Sequence, residues 1–320
     1  MNILITGITG FSGSHLAEYL IQLSKKYKIF GTIRGRCRQL GFIDKIKNDL
    51  TLLECDLTDY NAVYSTIEDS QPDVIYHLGA QTFVPTSWRA PQETMITNIL
   101  GTLNLLETVR KSSFSPIIMI AGSSEEYGLV HEDETPIKET NQLRPLSPYA
   151  VSKVTQDLLG YQYFKNYGMH LRRTRAFNLI GPRSGGKIVT ASFAKQIAKI
   201  EKGLHVPILS VGNLEAIRDF NDVRDVVRAY VIATTSLCND GEVYNIATGW
   251  GYSIQEIVDE YQKLSTVPFK LVQDKKRMRP SDVPVLIGDS TKFRNATGWL
   301  PEYTFKHSLK DVLEYWRQQA

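Results

Sequence analysis

The opening stretch Asn2-Ile3-Leu4-Ile5-Thr6-Gly7-Ile8-Thr9-Gly10-Phe11-Ser12-Gly13 runs straight into helix-period sequence from Ser14 to Leu23. A short apolar run, glycines at 7, 10 and 13, and then helical spacing spell strand, turn and helix in that order. Glycines at these steps let the backbone turn sharply and approach a pyrophosphate, whose charge then sits at the positive amino end of the helix. A turn that merely needs small residues would explain the glycines in isolation. The strand before them and the helix after them make a nucleotide cofactor the stronger reading, with Gly7, Gly10, Phe11 and Gly13 as its binding residues.

Outward from this turn, apolar or β-branched runs recur at 29–33, 52–55, 74–78, 117–121 and 171–177, with helical patterns around 61–68, 94–110 and 149–164 between most of them. Such alternation predicts an α/β fold: a doubly wound parallel sheet of the Rossmann type, covered by helices on both faces. After Asn178 the character changes. Gly181-Pro182-Arg183-Ser184-Gly185-Gly186 breaks the chain, a helical pattern follows near 190–202, residues 242–247 again read as a strand, and prolines punctuate the tail. The expected division is a cofactor-binding domain of residues 1–178, with a returning segment about 220–250. A smaller, discontinuous C-terminal substrate domain is expected from 179–219 and 251–320.

Composition narrows the function classes. Lys plus Arg is 37 against 34 for Asp plus Glu, a net charge of +3 that gives no argument for nucleic acid. Three cysteines (Cys37, Cys55, Cys238) lack CxxC spacing and the six histidines form no HExxH pair, so neither a disulfide framework nor a metal site is indicated. The first strand begins at residue 2, which leaves no room for a signal peptide, and no apolar run approaches the ~20 residues of a membrane span. A cytoplasmic location without membrane attachment is expected.

Chemistry enters with Ser147-Pro148-Tyr149-Ala150-Val151-Ser152-Lys153. At i and i+4 on a helix, a phenol and an ammonium share one face roughly 6 Å apart. A cation about 4 Å from a phenol, at an effective dielectric of about 20, is worth roughly three pK units before desolvation is subtracted, which would let Tyr149 exchange protons near neutral pH. The residue that would bind the ribose of NAD, about twenty positions past the glycines, is replaced by Thr32-Ile33-Arg34-Gly35-Arg36-Cys37-Arg38. Arg34 there favours a 2′-phosphate and hence NADP, a solvated basic loop being the plain alternative. Asp56 and Leu57 after the third strand, and Leu78 and Ala80 after the fourth, complete the cofactor-binding set with Lys153; Asp56 also has an ordinary role as a turn former. At the carboxyl end of the fifth strand, where ligands of such sheets bind, stands Gly122-Ser123-Ser124-Glu125-Glu126-Tyr127-Gly128. Ser123 can hydrogen-bond a sugar oxygen beside Tyr149, and Glu125 can move a carbon-bound proton next to a ketone.

With these residues assembled, the chain resembles the extended short-chain dehydrogenase/reductase family over essentially its full length, and within it the enzymes that modify GDP-hexoses. GDP-mannose 4,6-dehydratases carry Thr-x-Glu where this chain has Ser123 and Glu125, then the Tyr-x-x-x-Lys of Tyr149 and Lys153. The arginine-bearing loop and Gly212-Asn213-Leu214-Glu215-Ala216 before Arg218-Asp219 add to the similarity. GDP-4-keto-6-deoxy-D-mannose reductases look similar too, at Ser123–Gly128, Arg218–Asp225 and Arg279–Pro284, so Glu125 does not decide between the two. The resemblance implies either a 4,6-dehydration, with Ser123, Glu125, Tyr149 and Lys153 catalytic, or an NADPH-dependent 4-keto reduction in which Glu125 only binds. It places Ser87 near the hexose, Asn178 near the diphosphate or sugar, and Arg218 and Arg279 on phosphate oxygens. A non-enzymatic NADP sensor, the reading outside catalysis, is disfavoured by the presence of Tyr149 and Lys153.

Apolar side chains on more than one side of the helical stretches 94–110 and 149–164 (Leu100, Leu103, Leu106, Leu158, Leu159, Tyr161, Phe164) suggest a subunit contact. The resemblance implies a homodimer paired through these helices, with a tetramer through the Arg34–Arg38 loop as the larger alternative.

Overall fold

The computed structural model describes residues 1–35, 40–277 and 283–320. Through the first half, strands and helices alternate: β1 (Asn2–Thr6), α1 (Phe11–Leu23), β2 (Lys28–Ile33), β3 (Leu50–Glu54), α2 (Tyr60–Ser70), β4 (Val74–His77), α3 (Val84–Arg89), α4 (Pro91–Met95), α5 (Gly101–Lys111), β5 (Ile117–Ser123), α6 (Pro148–Tyr167) and β6 (Leu171–Ala176). The second half has β7 (Asn178–Ile180), α7 (Val189–Glu201), β8 (Ile208–Val211), β9 (Ile217–Asp222), α8 (Val223–Ala233), β10 (Val243–Ile246), β11 (Gly251–Ser253) and α9 (Ile254–Leu264). It closes with β12 (Lys270–Gln273), β13 (Val285–Leu286), α10 (Thr291–Thr297) and α11 (Phe305–Gln319).

Seven parallel strands form the main sheet in the order β3-β2-β1-β4-β5-β6-β10. Because both faces are covered, its strands carry near-continuous apolar runs, and Ile3, Leu4 and Ile5 are wholly buried. On one face α1 and α8 pack through Leu16, Leu20, Val226 and Val227; on the other, α2, α5 and α6 close over Leu4, Ile75 and Ile118. The chain order reverses between β1 and β4, which opens a crevice at the carboxyl edge of the sheet.

The second lobe is built on a four-stranded sheet, β11-β9-β13 with β7 also on β9, and a separate β8–β12 pair. Its core gathers Phe193, Ile197, Ile257, Tyr261 and Leu309 from α7, α9 and α11. One expected boundary is corrected here. Residues 251–320 do not all belong to this lobe, because Phe293 of α10 and Trp299 are buried in the first core against Tyr244 and α8. An aromatic pair inside that core outweighs chain proximity, since each such ring buries about 150–250 Å².

Three local features fix the elements that carry the site. Ser147 accepts from the Ala150 N–H and Pro148 follows it, so α6 starts just ahead of Tyr149. Between α4 and α5 the helix makes one π turn at Ile96–Leu100, which turns Asn98 inward. Its amide accepts from Gln81 N (2.7 Å) and donates to Gln81 O (3.0 Å) and Ser152 Oγ (2.8 Å), tying the loop after β4 to α6.

The expected apolar surplus on these helices divides in two. Leu106 is buried, and Leu103, Leu159 and Phe164 pack against the same core, so they serve the subunit's own interior. Leu100, Leu158 and Tyr161 remain outward, joined by Ile96 and Val151. Among the described residues no helix is long and apolar enough to cross a membrane.

Candidate active site

A cleft of about 960 Å³ runs along the carboxyl ends of the parallel strands. Gly7, Gly10, Phe11 and Gly13 line it after β1, Thr32 and Arg34 after β2, Asp56 and Leu57 after β3, and Leu78 and Ala80 after β4. Ser123, Glu125, Tyr149 and Lys153 form its middle, and Asn178 its far wall. The fold thus brings together the four catalytic candidates, the cofactor candidates and one substrate candidate.

The glycine turn is shaped to leave no side-chain volume. Gly7 has φ 71°, and a Cβ there would stand 2.9 Å from Gly79 Cα; a Cβ on Gly13 would stand 2.8 Å from Ile8 Cα and closer still to Gly7 O. These contacts make a backbone cradle at the amino end of α1, where N–H groups and the helix dipole favour an anion. Asp56 turns the chain after β3. Its carboxylate accepts from Thr58 N (2.9 Å) and Thr58 Oγ1 (2.8 Å), which holds its pKa below the ordinary value, while the residue still borders the cleft.

At the reacting centre Tyr149 and Lys153 are 8% and 3% exposed. The Lys153 ammonium donates to Ala121 O (2.8 Å) and lies 6.0 Å from the centre of the Tyr149 ring. Burial lowers the Lys153 pKa to about 8, with the Glu126 carboxylate pulling it back up. The expectation of a phenol near neutral pH is corrected. Burial pushes Tyr149 up, a hydrogen bond with Ser123 brings it down, and Glu125 and Glu126 push it further up. Desolvation of the phenol outweighs the ammonium, so the protein alone holds Tyr149 as a proton-bearing acid.

Ser123 ends β5 and caps the short turn 124–126, its hydroxyl accepting from Glu125 N (3.2 Å). Glu125 is half-buried on the cleft wall, whereas its neighbour Glu126 is fully buried behind it. Burial and Asp157 push the Glu126 carboxyl up against the pull of Arg175. Asn178 opens β7 with a side-chain oxygen that is buried and without a hydrogen-bond partner, a free acceptor in the cleft wall.

Two substrate candidates are placed elsewhere. Ser87 is fully buried and its hydroxyl donates to Val84 O (2.7 Å); Val84, Pro85 and Thr86 line the cleft in front of it, because the short α3 turns Ser87 inward. Arg218 is outside the described lining of the cleft. It sits on β9 opposite Tyr252, with its guanidinium donating to Ile217 O (2.9 Å) and Pro284 O (3.4 Å). Arg279 and the Arg36–Arg38 part of the basic loop lie outside the described residues.

Sequence reading missed two groups. Arg183, a non-glycine residue at φ 70°, lines the cleft while its guanidinium pairs with Glu18 (2.5 Å) and donates to Ser14 Oγ (3.3 Å), clamping the 181–186 loop onto α1. Lys187 on one wall reaches over the Phe83 ring on the other, 5.1 Å from its centre. The sole signal for either was the glycine-rich break around them.

Comparisons with known proteins agree with this geometry. The family model for GDP-mannose 4,6 dehydratase matches residues 4–312. The GDP-6-deoxy-D-mannose reductase of Pseudomonas aeruginosa is 33% identical, covering 99% of this chain and 98% of its own. The GDP-mannose 4,6-dehydratase of Yersinia enterocolitica is 34% identical, covering 99% and 94%. Among solved structures, RMD from Pseudomonas aeruginosa complexed with NADPH is similar at a TM-score of 0.86 and 33% identity, covering 100% of both chains. A UDP-glucuronic acid 4-epimerase from Bacillus cereus, in complex with UDP-glucuronic acid and NAD, is similar at 0.89 and 26%, again over 100% of both.

Proposed function

The chain belongs to the GDP-mannose 4,6-dehydratase family, and from that premise we propose that it dehydrates GDP-mannose to GDP-4-keto-6-deoxy-D-mannose with NADP as its cofactor. The family match carries this reading, and Glu125 supplies its chemistry: a half-buried carboxylate on the cleft wall beside Ser123 and Tyr149 can move a proton at C5.

The residues present fit the dinucleotide. The cradle of Gly7, Gly10 and Gly13 would hold its pyrophosphate and Arg34 its 2′-phosphate, with Asp56, Leu57, Leu78 and Ala80 as further binding residues along the cleft. When bound, NADP supplies the hydride acceptor at the start of the cycle and the hydride donor at its end.

The chain's own groups do the proton work. Dehydration starts from the ionised phenol, which burial disfavours and the nearby Lys153 ammonium supports: Tyr149, steadied by Ser123, takes the proton of the C4 hydroxyl as that carbon becomes a ketone. The ketone acidifies C5, and Glu125 removes its proton. Of the two protons taken up, one leaves with the C6 hydroxyl as water and the other returns to C5, so the site ends as it began. Lys153 keeps a positive charge against the phenol and a grip on the strand end at Ala121. Asn178 offers its free amide oxygen to a sugar hydroxyl. Arg218 shares its strand face with Phe220, which borders the cleft, and is the proposed phosphate ligand further out.

A second reading, NADPH-dependent reduction of GDP-4-keto-6-deoxy-D-mannose at C4, is supported by the match to the Pseudomonas aeruginosa reductase. It needs only a protonated Tyr149, the state that burial favours. Two incubations separate the readings. GDP-mannose with catalytic NADP⁺ should lose one water by mass spectrometry without accumulating NADPH, and unchanged GDP-mannose would overturn the dehydratase. The 4-keto sugar with NADPH should consume NADPH only if the protein is a reductase, and NADPH binding without either turnover would mark a sensor.

A homodimer is proposed on the outward Ile96, Leu100, Val151, Leu158 and Tyr161, which make an apolar strip along neighbouring helices.

A further inference from the structure

We propose that Glu126, the second of the paired glutamates, is a positioning residue: it holds Ser123 in place and, through Ser123, the Tyr149 phenol. This rests on the reading of Ser123 and Tyr149 given above.

Strand β5 continues through Ser123, but its neighbour β4 ends at His77, opposite Ile120. The last three residues of β5 therefore have a strand on one side only, β6. Backbone groups left over at such an edge need partners if they are shielded from water. Two buried side chains supply them. Lys153 donates to Ala121 O (2.8 Å), and Glu126 Oε1 accepts the Ser123 N–H (2.8 Å). The reacting end of β5 is completed by side chains where a strand is lacking.

Glu126 is itself held rigidly. Its second oxygen accepts from Arg175 Nε (2.9 Å); Arg175 also pairs with Asp157 of α6, which pairs in turn with Arg173. All four side chains are buried or nearly so. The glycine at 122 makes room for the carboxylate, because a Cβ there would collide with Glu126 Oε1 and stand 2.6 Å from Thr174 O. Ser123, fixed at its N–H, then presents its hydroxyl to Glu125 N and to Tyr149. The tandem glutamates thus divide the work: Glu125 faces the cleft and Glu126 locks the backbone from behind.

Two substitutions separate reach from the carboxyl group itself. Glu126→Gln keeps an acceptor long enough for the Ser123 N–H without the carboxyl; Glu126→Asp keeps the carboxyl and falls one methylene short. The inference expects Glu126→Asp to lose about 10- to 100-fold in kcat, as a misplacement of about 1 Å does. KM and the NADPH Kd should stay within about twofold, while Glu126→Gln keeps most of kcat. Hydrogen exchange at the Ser123 amide, read by NMR, should be slow in wild type and Glu126→Gln and fast in Glu126→Asp. Glu126→Gln falling as far as Glu126→Asp, or Glu126→Asp behaving as wild type, would overturn the inference. If Glu126→Asp does not fold, Glu126→Met, of similar length with no oxygen acceptor, replaces it with the same expectations. Wild type turning over neither sugar nucleotide would refute the proposed function, and the exchange measurement, which needs no substrate, would still decide the role of Glu126.

Discussion

Adding one methyl group at a time to the glycines of the cleft gives a graded test of the cofactor cradle. At Gly13 the new Cβ would stand 2.8 Å from Ile8 Cα and 3.0 Å from Gly7 C, both backbone atoms. Carbon pairs rest at about 3.5–4.0 Å, so the turn must open by roughly 0.7 Å or more. Overpacking of this kind costs about 1–3 kcal/mol, and backbone neighbours, which cannot swing aside, place it at the upper end. Because α1 begins in this turn, the displacement moves the N–H groups that would face the pyrophosphate. If most of that cost falls on the bound geometry, Gly13→Ala should weaken NADPH binding by about 100-fold, at about 1.4 kcal/mol per factor of ten. At Gly10 the nearest atom, Gly7 O, is 3.2 Å away, which a small shift relieves, and about a threefold loss is expected there. Gly185 lines the same cleft with nothing within 4 Å, so Gly185→Ala should bind as wild type. The assay is a titration of NADPH fluorescence for each variant, with melting temperature as the check on folding. Gly13→Ala binding as tightly as wild type, or Gly185→Ala losing as much as Gly13→Ala, would refute the steric account.

Arg34→Asp reverses the charge that would meet the 2′-phosphate and should weaken NADPH binding at least about 10-fold more than NADH binding, since a hydrogen bond to a charged group is worth about 1.5–3 kcal/mol; equal losses for the two cofactors would remove the assignment. Tyr149→Phe should lower kcat by about 10²–10⁴ with little change in KM, the range for loss of a general acid or base; a normal kcat would remove the phenol from the mechanism. The Lys153 pKa of about 8 lies below its ordinary value, so the free enzyme loses the ammonium as pH rises through about 8. A kcat/KM profile that falls above that pH is expected, and one flat to pH 10 would count against it. Ile96→Asp with Leu158→Asp puts charge on the outward strip, 51% and 54% exposed at those positions; light scattering should show dimers becoming monomers, and an unchanged mass would move the interface elsewhere.

Local pattern carried much of the reading. Gly7, Gly10 and Gly13 announce the cofactor turn by their spacing between strand and helix, Gly7 and Gly13 because no Cβ fits there, and Tyr149 and Lys153 announce themselves by one-turn spacing. Ser123 and Glu125 were legible because they stand where a parallel strand ends. Glu126, Arg175 and Asp157 were not, since a buried ion network joins residues from β5, β6 and α6 and leaves no periodic trace. Ser87 shows a different limit: its neighbours line the cleft, but the α3 helix turns its own side chain inward.

From the amino-acid order alone came the alternation of elements, the glycine turn, the basic residue after β2 and the four catalytic candidates, all properties of short segments whose conformation or chemistry is set by near neighbours. Tertiary structure alone decided that Phe293 and Trp299 return to the first core, that Arg183 clamps the loop onto α1, and that burial raises the Tyr149 phenol. Each depends on which surfaces lose water when distant segments meet, and desolvation is a property of the packed molecule that no single segment carries.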